Sequence, residues 1–279
     1  MKKIITLIIA LTLVTGFVMA DDIGLTAALQ FGVDNMNKAD DGEPEPWIKP
    51  SIAYGSSFVD GSLDLYAKLA YLSYFKKNDL DSAPMYLYFD FSLTYNLSLS
   101  SGSTLSFILE NEVDKFMLSN RPESEDGSGL CSIFEPAINF RQGLDIGDIY
   151  ANLCFPITYV QYVKDVGTPW VDFKAKLGWD SSFGLGLWIR EVMNLKVPEW
   201  GETGHAHFDA CASYSYGPFY AEVEADIYKD FSDNGMDLIP MVQYTIIDNL
   251  NVWLSFDIYG LGGAYDATFS PSLGISYSF

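Results

Sequence analysis

The sequence predicts an all-β fold, a closed antiparallel up-and-down transmembrane β-barrel of about 14 strands, within a range of about 12 to 16. Three observations lead to this prediction. Apolar and polar residues alternate with a period of two along almost the whole chain, which is typical of strands. Many alternating segments run for ten to fourteen residues, and a tilted strand needs about nine to eleven to cross a bilayer. Short turns also alternate with longer polar connections.

Residues 1–20 are expected to be a signal peptide and not part of the fold. Lys2 and Lys3 form a short basic region, residues 4–18 are apolar, and Ala20 ends a motif that a signal peptidase would read. Cleavage before Asp21 leaves residues 21–279 as a single barrel domain. An uncleaved anchor helix is the alternative, but the apolar run is shorter than the ~20 residues that a spanning helix needs.

The chain is strongly acidic. The formal charge of −21 becomes −23 when Lys2 and Lys3 leave with the leader. This acidity argues against nucleic-acid binding, which needs a basic surface, and against recruitment to anionic lipid. It is compatible with a protein that attracts cations.

The cysteines do not indicate a disulfide-stabilised module. Cys131, Cys154 and Cys211 are odd in number and widely spaced. They fit neither a disulfide framework nor a CxxC metal site. We expect at most one disulfide.

The alternation can be followed along the chain, segment by segment. In the first segment Leu25, Leu29 and Phe31 share one face. The segments are centred near residues 28, 53, 69, 91, 109, 136, 155, 174, 188, 210, 224, 242, 255 and 274. Short turns are expected at 59–62, 217–218 and 247–249. Longer connections are expected near 35–46, 76–84, 117–130, 194–203 and 260–267; the 117–130 stretch is expected to be a surface loop, with inward folding as the alternative.

The last segment carries the most specific signal. Its apolar residues alternate up to Phe279, at Phe269, Pro271, Leu273, Ile275, Tyr277 and Phe279. This strand, with Tyr277 and Phe279 as an assembly signal, resembles the closing strand of bacterial outer-membrane β-barrels of the porin-like class. The resemblance implies export to the outer membrane of a diderm, Gram-negative-type bacterium, contact with membrane lipid, and insertion by the outer-membrane assembly machinery. A soluble β-sandwich would also alternate, but its strands are usually about five or six residues long.

A β-sheet that spans a membrane is expected to close into a barrel. Hydrocarbon cannot hydrogen-bond to the backbone, so the last strand should pair with the first one. Aromatic residues at the two interfaces should form girdles. The candidates are Trp47, Tyr71, Phe75, Trp170, Trp179 and Tyr277.

The face opposite the apolar one should line the interior of the barrel, the lumen. Candidates for an ion pathway there are Asp64, Asp90, Glu110, Glu112, Asp114, Lys174, Lys176, Arg190, Asp209, Glu222, Glu224, Asp226 and Asp257. Asp172 could face Arg190 across strands. The acidic walls should favour cations over anions, and a basic strip opposite an acidic one resembles the constriction of general porins. Mutual pairing of these charges for stability is the alternative reading.

The densest polar group is His205, His207 and Asp209, which point to one face. With a turn at 217–218, Asp209 should lie opposite Asp226. Imidazole and carboxylate together could hold a divalent cation or serve acid–base chemistry, although lumen polarity alone explains these residue types. No other cofactor is expected.

The leading functional hypothesis is a monomeric outer-membrane pore for passive, cation-preferring diffusion of small hydrophilic solutes. One alternative is a surface-exposed adhesin or receptor that acts through its long loops. The other is a hydrolase centred on His205 and His207. No serine stands in a recognisable motif with either histidine, so we expect no enzyme.

Overall fold

The computed structural model describes residues 24–34, 44–59, 61–75, 85–100, 102–117, 128–162, 170–195, 206–229, 234–262 and 267–279. Its strands are β1 (Leu25–Asp34), β2 (Glu45–Phe58), β3 (Leu63–Tyr74), β4 (Met85–Ser100), β5 (Ser103–Met117), β6 (Ser128–Leu144), β7 (Gly147–Cys154), β8 (Ile157–Tyr162), β9 (Trp170–Ser181), β10 (Leu185–Leu195), β11 (Ala206–Tyr216), β12 (Phe219–Lys229), β13 (Asn234–Ile247), β14 (Leu250–Leu261) and β15 (Thr268–Ser278). In these ranges no helix has the length and apolarity required to span a membrane.

The strands form one antiparallel sheet that closes on itself. Apart from β7 and β8, which share one strand position, strands that follow each other in sequence are paired, and β15 returns to pair with β1. Leu29 lies opposite Ile275 in this closing pair, and the Phe279 backbone N–H donates to the Leu25 carbonyl at 2.9 Å. The predicted pairing of the last strand with the first is therefore confirmed.

β7 and β8 together occupy one strand position of the barrel. Both pair with β6 on one side and with β9 on the other. The break between them falls at Pro156, which has no N–H to donate to a neighbouring strand. The Pro156 carbonyl still accepts from the Asp172 N–H at 2.9 Å. The barrel thus has fourteen strand positions, and each predicted segment centre falls within one of them or, for residue 155, at this break.

The connections differ in length at the two ends of the barrel. Six turns of two to four residues lie at one end, and the predicted turns at 59–62, 217–218 and 247–249 are among them. The connections at the other end have four to ten residues. The predicted loop at 117–130 is shorter than expected because β5 continues to Met117 and β6 begins at Ser128. Residues 118–127 lie outside the described part, so neither of its two readings is tested.

The two faces of the sheet are distinguished by contacts that skip a strand. Side chains two strand positions apart can meet only on the concave face. Lys174 of β9 contacts Glu135 of β6 across β7 at 2.6 Å, and Arg190 of β10 reaches Glu224 of β12 across β11 at 3.5 Å. These residues therefore face the lumen. The alternate residues face outward and include the exposed side chains of Phe31, Leu69, Phe89, Phe107, Phe140, Leu177, Phe208, Val223, Leu254 and Leu273.

Aromatic residues gather on the outer face near the short turns. Trp179 packs edge-on against Phe183 with ring centroids 6.0 Å apart, and Tyr277 packs against Phe279 at 4.8 Å. Trp47 was wrongly assigned to a girdle. It shares the inner face of β2 with Lys49, and its indole N–H donates to Asp34 Oδ1 at 2.8 Å. The side chain of Trp170 lies outside the described part, whereas Tyr71 shares the outer face with Leu69.

Three aromatic rings on the lumen wall lie over glycines of neighbouring strands. They are Trp47 over Gly32, Tyr150 over Gly178, and Trp253 over Gly274. A Cβ atom on each glycine would come within 2.0–2.3 Å of the ring, so only glycine leaves room for it. Such glycine–aromatic pairs support a glycine within a sheet. They also hold large side chains flat against the wall.

The glycine–aromatic pairs should be sensitive to a single methyl group. Gly274→Ala would place Cβ 2.0 Å from the Trp253 ring. We expect the free energy of unfolding to fall by about 1–3 kcal/mol because the ring must leave its place. Urea titration of the protein in lipid vesicles, followed by tryptophan fluorescence, measures this change.

Gly55→Ala is the matched control. Gly55 also lies on the inner face, but nothing is within 4 Å of its Cβ position. Its free energy of unfolding should change by no more than about 0.5 kcal/mol. Equal effects of the two substitutions would contradict the assigned role of the glycine.

Candidate functional site

The strand registers place most of the predicted charged residues on one face. Those on the lumen wall are Asp64, Asp90, Glu110, Glu112, Lys174, Lys176, Arg190, Asp209, Glu222, Glu224, Asp226 and Asp257. Asp114 pairs with Cys131 through its backbone, but its side chain lies outside the described part. A role of these residues in an ion pathway remains a prediction.

Several lumen cations are held by carboxylates. The ion pairs are Lys68 with Asp90 at 3.3 Å, Lys174 with Glu135 at 2.6 Å, and Arg141 with both Asp148 at 2.9 Å and Asp180 at 2.7 Å. Lys68 and Arg141 were not among the predicted pathway residues. The same period-two alternation would have found them, because each lies an even number of residues from an inward-facing neighbour on its strand.

Arg190 is the centre of a charge cluster on the lumen wall. Its Nε donates to Asp209 Oδ2 at 2.5 Å, and its Nη2 lies 3.5 Å from Glu224 Oε1. Asp209 is fully buried, and its Oδ1 has no hydrogen-bond partner within the described residues. A buried carboxylate needs such a cation because the loss of hydration is otherwise uncompensated.

The partner predicted for Arg190 was wrong. Arg190 lies between Lys176 of β9 and Asp209 of β11, whereas Asp172 lies opposite Asn194. The short connection at 182–184 sets this register. Lys176 and Arg190 are like charges in direct cross-strand positions, an arrangement that destabilises a sheet unless it is compensated.

Aromatic rings compensate part of this repulsion. The Lys176 Nζ lies 3.9 Å from the centroid of the Trp188 ring, and the Arg190 guanidinium carbon lies 5.3 Å from it. The ring face carries negative charge density that attracts both cations. Tyr150 does the same more weakly, with Arg141 at 5.4 Å and Lys176 at 6.0 Å.

The predicted register around His207 is confirmed. Asp209 lies opposite Asp226, and His207 lies opposite Tyr228. His207 Nε2 is 3.5 Å from Asp209 Oδ1. His205 lies outside the described part of the chain. Within that part, no group of three His, Cys, Asp or Glu side chains is arranged to hold a metal ion, and the cation that contacts Asp209 is the guanidinium of Arg190.

The described thiols do not form a disulfide. Cys154 and Cys211 are free and buried, and both lie on the inner face of the wall. The side chain of Cys131 lies outside the described part. The expectation of at most one disulfide is compatible with this arrangement.

A second group of lumen carboxylates has only neutral donors. Asp34 accepts from Trp47 at 2.8 Å and Tyr74 at 2.9 Å, Asp64 from Ser57 at 2.5 Å and Asn96 at 2.7 Å, Glu222 from Tyr220 at 2.5 Å, and Asp257 from Ser255 and from Tyr259 at 3.2 Å. None of the four has a cationic nitrogen within 4.0 Å among the described residues. Neutral donors stabilise a carboxylate without removing its net charge. Asp34 was missed from sequence because it is the last residue of its strand.

Comparison with known proteins identifies the fold. No protein-family model matches the chain, and neither does any of the curated proteins. A complex of Salmonella typhi OmpF with daunomycin is similar with a TM-score of 0.51 at 9% identity, over 92% of this chain and 97% of that one. A triple mutant of the Rhodopseudomonas blastica porin gives a TM-score of 0.45 at 11% identity, over 92% of this chain and 100% of that one.

At such low identity, the likeness shows the fold alone. The closed antiparallel barrel of fourteen strand positions is similar in fold to the OmpF barrel, so the chain has a porin-like β-barrel fold. The predicted fold class is therefore confirmed. Its function has to be argued from the charges on the lumen wall.

The Arg190–Asp209 pair should contribute strongly to stability. Arg190→Met leaves the buried Asp209 carboxylate without its cation, and the free energy of unfolding should fall by about 3 kcal/mol or more. In Arg190→Met/Asp209→Asn both charges are absent, so this double variant should recover part of the loss. Urea titration in vesicles measures both values. An Arg190→Met variant as stable as the parent would show that the pair does not stabilise the wall.

Proposed function

We propose that the chain is an outer-membrane pore for the passive diffusion of small hydrophilic solutes, with a preference for cations. The porin-like fold supports the pore, and the acidic wall supports the preference. We further propose that residues 1–20 are removed on export and that the barrel acts as a monomer in the outer membrane of a diderm bacterium.

One observation supports the proposed cation preference. Within the described residues, some lumen carboxylates are paired with cations, whereas others accept hydrogen bonds from neutral donors only. Ion pairs such as Arg141 with Asp148 and Asp180 largely neutralise their charges for a passing ion. Asp34, Asp64, Glu222 and Asp257 are held by hydroxyl, amide and indole donors. They leave net negative charge on the wall, and rings of such side chains favour cations in pores.

Planar-bilayer recording of the purified, folded protein tests this proposal. With a potassium chloride gradient across the bilayer, we expect discrete conductance steps and a reversal potential on the cation-selective side. Asp34→Asn/Asp64→Asn/Glu222→Gln/Asp257→Asn should keep the steps but lower the cation-to-anion permeability ratio about twofold or more, because it removes the unpaired negative charge.

Glu191→Gln is the control for the loss of charge. Glu191 is exposed on the outer face of β10, opposite Ala175 and Phe208, so its neutralisation should leave the permeability ratio unchanged. Silence from protein shown to be folded would exclude the pore. An unchanged permeability ratio in the quadruple variant would show that other groups set the selectivity.

A further inference from the structure

The lumen wall contains a recess of about 300 Å³ between β5 and β10. This volume is at the lower end of the ~300–1,000 Å³ of small-molecule sites. All of its lining residues face the lumen, so a solute in the pore would have direct access to it. The residues that determine its chemistry are Glu110, Glu135, Asn139, Asn152, Lys174 and Lys176.

Two of these charges neutralise each other. Lys174 Nζ contacts Glu135 Oε1 at 2.6 Å, and both side chains are largely buried. The guanidinium of Arg190, at the border of the recess, is engaged by Asp209 and Glu224. Neither of these contacts involves Glu110 or Lys176.

Glu110 and Lys176 have no direct ionic partner among the described residues. Within the described residues, Glu110 makes no hydrogen bond or ion pair, and no carboxylate oxygen lies within 4.0 Å of Lys176 Nζ. The contact of Lys176 with the Trp188 ring, at 3.9 Å, orients the ammonium but leaves its positive charge in place. The recess therefore has one carboxylate and one ammonium without a direct ionic partner in the described part of the chain.

These two groups lie at opposite sides of the recess. Glu110 lies on β5, opposite Glu135 of β6, and Lys176 lies on β9, opposite Asn152 of β7. Three strand intervals of about 4.8 Å separate β5 from β9, and the row of Lys176 meets β5 at Ser106, four residues from Glu110, so the two backbones lie roughly 20 Å apart along the wall. Asn139 and Asn152 are cross-strand partners between them. An amide can both donate and accept hydrogen bonds, which suits a polar group in the middle of a ligand.

We propose that this recess binds a small zwitterion that carries a primary ammonium and a carboxylate, such as a dipeptide. Glu110 binds the ammonium, Lys176 binds the carboxylate, and Asn139 and Asn152 face the polar middle of the ligand. A simple cation would leave Lys176 unsatisfied, and a simple anion would leave Glu110 unsatisfied. The proposal rests on the proposed pore, because it names a class of solute that the pore would carry.

Calorimetric titration of the folded protein in detergent, at low salt, tests the recess without any need for conduction. The probe is glycylglycine. N-acetylglycylglycine lacks the ammonium, and glycylglycinamide lacks the carboxylate. We expect glycylglycine to bind at least about tenfold more tightly than either, because each analogue loses one charged hydrogen-bonded contact.

Substitutions in the recess test whether its own charges bind the probe or whether the electrostatic field of the whole lumen does. Glu110→Gln and Lys176→Gln should each weaken glycylglycine binding by about tenfold, while Glu191→Gln on the outer face leaves it unchanged. Reversal of both charges in Glu110→Lys/Lys176→Glu should restore binding, because the ligand can bind in the opposite orientation. Circular dichroism verifies that each variant is folded.

The outcomes distinguish this proposal from the pore itself. Binding of glycylglycine by a protein that is silent in bilayers would overturn the pore and retain the recess as a binding site. Conduction without preference for glycylglycine over its two analogues would overturn the recess and retain the pore. Affinity that is unaffected by Glu110→Gln and Lys176→Gln would place the binding elsewhere and also overturn the recess.

Discussion

The whole structure depends on the inability of hydrocarbon to hydrogen-bond to a polypeptide backbone. A sheet that crosses a membrane must therefore pair every strand on both sides, and the pairing of β1 with β15 completes this requirement. On the inner side of the same pair, Thr26 lies 3.1 Å from Ser278, and Gln30 donates to Ser272 at 3.1 Å. Closure in turn sends alternate side chains into a common interior, where charges from distant parts of the sequence become neighbours.

Much of this arrangement could be predicted from sequence because the side-chain period of a strand is two. Alternation and turn length determined the strand positions, the two faces, and the placement of Asp209 opposite Asp226. The 217–218 turn has two residues and leaves no choice of register. The connection between β9 and β10 has three residues, and the partner of Arg190 was therefore misassigned. Trp47 was misassigned for another reason, because a tryptophan near a strand end resembles an interfacial residue until its partner Asp34 is known.

The charged residues of the lumen wall affect both its stability and its net charge. Ion pairs such as Arg190 with Asp209 stabilise the wall, but they also neutralise those charges. Neutral donors at Asp64 and Glu222 satisfy the carboxylates and leave their charge in place. These contacts satisfy the carboxylates of an acid-rich chain in two ways, one with and one without neutralisation of their charge. The sequence could not predict which carboxylates would pair with a cation and which would accept hydrogen bonds from neutral donors, because this depends on contacts between strands.

The interruption at Pro156 bears on the mechanics of the wall. Pro136 lies in the neighbouring strand, and the N–H of Phe155 donates to its carbonyl at 3.0 Å. Two backbone donors are thus missing from adjacent strands at the same height. Pro136 faces the β7–β8 position and Pro156 faces β9, so each of these two ladders has one hydrogen bond fewer than a full strand pair. The wall should therefore bend more readily along this line than along strand pairs with a complete set of hydrogen bonds.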